Sequence, residues 1–84
     1  MSALVLPFPL ARRLGLIQRQ AEYALCLKPD SAERHIERQL HCQAAALRRR
    51  GVAEAMIARE VSAMEAAIRA AMWNAVFDTS GENA

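Results

Sequence analysis

The chain has little to turn with: three glycines and three prolines in 84 residues. A β-sandwich needs a turn about every ten residues, so this scarcity argues against one. It also leaves no glycine-rich loop to cradle a phosphate. Cysteine is scarce too. Cys26 and Cys42 are the only two, whereas small secreted scaffolds are cysteine-dense. Aromatics number four: Phe8, Tyr23, Trp73 and Phe77. No apolar run approaches the ~18 residues of a membrane span. The opening MSALVLPFPLARR has no cation before its apolar stretch, and Pro7 and Pro9 interrupt that stretch, which is not the pattern of a signal peptide. The expected setting is a reducing cytoplasm. Side chains that fill a core are also few. Apolar residues make up 54% of the chain, but 18 of the 84 residues are alanine. That permits one small domain near the lower size limit for a single core, and no interdomain cleft.

What is present is a charge gradient. The net charge is +2. Residues 10–50 carry nine basic groups against four acidic ones; residues 51–84 carry two against five. Ten of the eleven cations are arginine, whose planar fork suits carboxylate and phosphate partners. A GC-rich genome yields the same excess.

The pattern along the chain is helical. Residues 1–9 read as an extended apolar arm, with Pro7 and Pro9 holding Leu6 and Phe8 out of helical geometry. A first helix is expected over about 10–27, with Leu10, Leu14, Ile17, Ala21, Ala24 and Leu25 on one face. Leu16, Tyr23 and Leu27 lie nearly opposite. A second helix, about 31–50, starts at Asp30-Ser31-Ala32-Glu33, read as a capping box with Asp30 at the N-cap. Its apolar stripe is Ile36, Leu40, Ala44 and Leu47, and Gly51 follows as the terminating residue. A third helix, about 52–77, carries Ile57, Val61, Met64, Ile68, Met72 and Ala75 at near-heptad spacing. It bears a second apolar side of Met56, Ala63, Ala66, Ala67, Ala70, Trp73 and Phe77. The expected fold is all-α: an antiparallel helical hairpin with a preceding helix, a single domain over 10–77, and a flexible polar tail over 78–84.

Chemistry-bearing sets are thin. His35, His41, Cys26 and Cys42 are the only soft metal ligands. His35 and Cys42 share a face but stand seven residues apart, roughly 10.5 Å by helical rise, too far for one ion. They read as a surface histidine pair and a small apolar thiol. His41 and Cys42 are adjacent on a helix and diverge by about 100°, so they form no base–nucleophile pair. No catalytic residues, cofactor or metal are expected, and the chain reads as a non-enzyme.

Two surfaces remain. Arg34, Arg38, His41, Arg48, Arg49 and Arg50 form a basic face on the second helix, suited to phosphates or to an acidic partner, with Arg12, Arg13 and Arg19 adding charge. Glu37 interrupts it, and no aromatic interleaves it. A helix-turn-helix is rejected, because no turn separates Ile57-Ala-Arg-Glu-Val61 from Ala66-Ala-Ile68-Arg69. A membrane-surface role for the arm and first helix is a minor reading, since the polar face there is not strongly cationic. The other surface is apolar: Leu16, Tyr23 and Leu27 with Ala63, Ala66, Ala67, Ala70, Trp73 and Phe77, read as packing against each other or as a partner or dimer face.

The segments Leu6-Pro7-Phe8-Pro9-Leu10-Ala11-Arg12-Arg13, Glu33-Arg34-His35-Ile36-Glu37-Arg38-Gln39-Leu40, Leu47-Arg48-Arg49-Arg50-Gly51-Val52 and Glu65-Ala66-Ala67-Ile68-Arg69 to Trp73 resemble a small uncharacterised helical family of alphaproteobacteria and their prophages. The proline-flanked start is its most specific piece. The resemblance implies a bacterial or phage cytoplasmic setting and carries no activity. Phage proteins of this size often bind a host protein, anti-CRISPR inhibitors among them. The functional expectation is therefore a non-catalytic interaction protein, dimeric or bound to a host protein. A small nucleic-acid-binding protein is the alternative.

Overall fold

A computed structural model describes residues 12–82, with side-chain surroundings for 12–77. The expected arm at 1–9 lies outside the described residues. Three helices follow in order: α1 over Leu14–Leu25, α2 over Pro29–Arg49 and α3 over Glu54–Glu82. The all-α hairpin with a preceding helix is the fold observed.

The connection between α2 and α3 is built around one glycine. Gly51 has φ +82°, a left-handed conformation that costs an L side chain about 1–2 kcal/mol. With the chain reversed there, the Gly51 amide donates to Arg48 O at 3.0 Å and the Val52 amide to Leu47 O at 3.1 Å. These two bonds satisfy carbonyls the helix end would otherwise leave open. Val52 then packs on the core beside buried Leu47.

The start of α2 differs from the capping box. The helix begins at Pro29, with Lys28 as N-cap and no side-chain cap bond. Proline lacks the amide hydrogen that the first helical position cannot use, and its fixed φ is already helical. It therefore starts the helix before Asp30 can cap it. Asp30 becomes a first-turn acid favoured by the dipole. Glu33 reaches across to α3 instead.

The ends of the other helices also moved. α1 starts at Leu14 and stops at Leu25, where the Cys26 and Leu27 amides turn back to Tyr23 O and Ala24 O. The tail expected from residue 78 continues α3 through Glu82. Each further residue of a formed helix adds one hydrogen bond without a new nucleation cost, so weak formers such as Thr79 and Ser80 still follow.

The buried side chains are Ile17, Ala21 and Ala24 of α1, Ala32, Ile36, Leu40 and Leu47 of α2, and Ile57, Met64 and Ile68 of α3, and all but Ala21 form one core cluster. Leu16, Leu27, Val61, Ala67 and Met72 pack around it. On α1 the buried stripe is rotated from the expected one. Both α2 and α3 contact α1, and the groove between them takes Leu16 and Leu27 along with Ile17. Leu14 and Leu25 are left at the edge, 72% and 42% exposed.

Candidate interaction surface

α2 and α3 are tied at both ends by arginine forks. Arg48 donates to both carboxylate oxygens of Glu54, at 2.5 and 2.9 Å. Arg69 donates to both oxygens of Glu33, at 2.8 and 2.9 Å, and also to Glu65 at 3.0 and 3.1 Å. The hydrogen bonds hold the Glu33 and Glu54 carboxyls below their ordinary value of 4.5, and hold both guanidinium groups more firmly protonated. All these partners are substantially exposed, so solvent screens the pairs.

The pairing changes the expected basic face. Arg48 is turned to Glu54 and away from it. Arg34, Arg38 and His41 remain together, lining an open depression of about 540 Å³ with Glu37 and Leu40. Arg34 also donates to Ser31 Oγ at 3.3 Å. Arg49 and Arg50 are exposed at the hairpin end.

The soft ligands are dispersed. His35 is not a surface residue. It is half-buried, with Nε2 2.5 Å from Gln20 Oε1 and its ring 4.6 Å from that of Tyr23. His41 is exposed. Both cysteines are free and exposed. Among the described residues no three His, Cys, Asp or Glu side chains gather where a metal could sit.

The expected apolar face divides in two. Leu16, Leu27 and Ala67 are used inside the bundle, packed on the core. Tyr23 packs at a tilt against His35 while staying half exposed. Ala63, Ala66, Ala70, Trp73 and Phe77 lie on the side of α3 opposite buried Ile57, Met64 and Ile68 and are all exposed. Trp73 is 66% and Phe77 54% exposed, with ring centroids 4.9 Å apart in an edge-on pair. Past Trp73 the helices' unequal lengths add to that exposure. At 1.5 Å per residue, α3 is roughly 43 Å long, α2 roughly 31 Å and α1 roughly 18 Å. Glu33 pairs with Arg69, so α2 begins near the level of Trp73, and α3 continues past it.

Sequence reasoning missed two members of this surface. Leu25 and Val76 join Met72, Trp73 and Arg69 around a shallow groove of about 240 Å³. Leu25 was assigned to the core because its wheel position is adjacent to Ala24 and Ala21. Only the sideways rotation of α1 reveals it as a rim residue.

The chain belongs to the DUF6074 family of unknown function, matched over residues 1–83. No curated protein and no solved structure matches it. Among the described residues of this family member, no helix is long and apolar enough to cross a membrane.

Proposed function

We propose that this protein is a non-catalytic interaction protein that associates through the outward face of α3. The observation that carries the reading is the Trp73–Phe77 pair, two large rings held edge-on yet more than half exposed. Exposed aromatics that are already ordered by a neighbour lose little entropy on binding, and tryptophan is a favoured anchor at interfaces. The bulk of the chemistry-bearing residues supports a non-enzymatic role. No charged or polar side chain among the described residues is buried, so none of them sits in a dry pocket of the kind that enzymes use to tune an acid or base. A bacterial or prophage origin, with a host protein as target, belongs to this proposal through the resemblance of the proline-flanked start and the Arg/Ala helices.

The test is affinity capture from bacterial lysate with nuclease present, followed by identification of the bound protein. A partner lost with Trp73→Ala/Phe77→Ala and kept with Arg38→Glu/Arg49→Glu is the expected result. The reverse pattern would move the function to the basic face. That second reading is favoured by Arg38, Arg49 and Arg50, which are exposed and carry no ion pair among the described residues. It predicts retardation of DNA or RNA that disappears with added salt.

A further inference from the structure

We infer that the occupant of the outward α3 face is a second copy of this chain, paired antiparallel about a two-fold axis between Ala66 and Ala70. The inference rests on the reading of that face as an interaction surface and names its occupant in the free protein, which a host protein would have to displace.

The outward residues Arg59, Ala63, Ala66, Ala70, Trp73 and Phe77 follow one another at spacings of 4-3-4-3-4. This alternation keeps a straight seam turned toward a partner helix. All six are exposed. The inward seam of α3 has similar spacing but is filled with large side chains and is already covered. The outward seam is graded: small alanines toward the hairpin end, large rings toward the other. A graded seam fits itself only when reversed. In a parallel pair Trp73 would meet Trp73, and alanine would face alanine across a gap. Antiparallel, Trp73 lies over the second copy's Ala63, Phe77 lies beside its Arg59, and Ala66 meets its Ala70. The alanines let the two helices approach closely. Each Arg59 guanidinium, which makes a long contact to Met56 Sδ at 3.8 Å on its own chain, gains the face of a phenyl ring. A two-fold interface needs this self-complementarity.

The area is sufficient for a reversible pair. With an aromatic side chain presenting about 150–250 Å², the exposed parts of Trp73 and Phe77 with the alanines and the Arg59 stem amount to roughly 500 Å² per copy. The total of about 1,000 Å² stands at the threshold for a specific interface, in the range of weak, reversible association.

The experiment combines sedimentation with directed cross-linking on the full chain. Wild-type protein should move from monomer to dimer mass as concentration rises to several hundred micromolar. Ala66→Arg, which keeps a good helix former on an exposed position, should weaken association about tenfold or more while the helical circular dichroism is unchanged. For orientation, Ala66→Cys and Ala70→Cys copies, both with Cys26→Ser/Cys42→Ser, are mixed equally under thiol exchange. Antiparallel pairing predicts that the mixed 66–70 disulfide dominates, well above the half expected from random collision. Dominant 66–66 and 70–70 products with dimer mass would overturn the pairing and leave the interaction face standing. Monomer mass throughout would overturn the second copy, and the capture experiment then decides the interaction face alone. Trp73 shielded from iodide even at the highest dilution would mean that the chain covers its own face, and would overturn both.

Discussion

The two faces of α3 carry nearly the same spacing and have opposite fates. Inward, Ile57, Met64 and Ile68 are buried under α1 and α2. Outward, Ala63, Ala66, Ala70, Trp73 and Phe77 meet solvent. Periodicity says that each face is a seam. What separates them is side-chain size and the number of helices available to cover them. Two shorter helices cover one side of the longest member, and the other side is left to solvent.

The largest effect that would break this comparison comes from the inward face. Ile68→Ala or Met64→Ala should destabilise the fold by about 2–5 kcal/mol, read as a lowered urea midpoint. A change below ~1 kcal/mol would mean that the inward seam is not the core. Next is the reversal that makes the hairpin. Gly51→Ala should cost about 1–2 kcal/mol through its positive φ, although open space surrounds the position. Gly15→Ala should instead stabilise α1 by about 0.5–1 kcal/mol, since its nearest neighbour is a flexible Arg19 end at 3.5 Å. The outward face should respond least. Trp73→Ala or Phe77→Ala should shift monomer stability by no more than ~0.5 kcal/mol at high dilution, while abolishing association.

Acid sharpens the comparison from another side. Glu33 and Glu54 are held below 4.5 by hydrogen bonds from Arg69 and Arg48. Their stabilisation is present in full above the unfolded carboxylate value and is lost as pH falls through the lowered folded values. Urea midpoints should decline below about pH 4.5, and Glu33→Gln should flatten part of that decline. An unchanged acid limb would show that the Glu33–Arg69 fork contributes nothing in solution.

Much of the fold was legible because the relevant signals are local. The stripe Ile36–Leu40–Leu47 and the seam Ile57–Met64–Ile68 are set by helical period, and Gly51 is marked by its conformational freedom. The capping box was misread because Pro29 and Asp30 compete for the same helix start, and a proline at the first position fixes the geometry one residue earlier. The site was legible in part. Trp73, Phe77 and the alanines stand out by type and spacing. The exposure of Leu25 depends on how α1 rotates in the groove between α2 and α3, and the diversion of Arg48 depends on where Glu54 arrives after the turn. Neither is encoded by neighbours in sequence.

The most direct measurement uses the chain's single tryptophan. Trp73 lies on the outward face, so iodide quenching of its emission reports whether that face is covered. Association through this face predicts strong quenching at high dilution and progressive protection as protein is added, with Ala66→Arg remaining quenchable throughout. Quenching that is strong and identical at every concentration, with and without captured partner, would contradict the assignment of this face to binding.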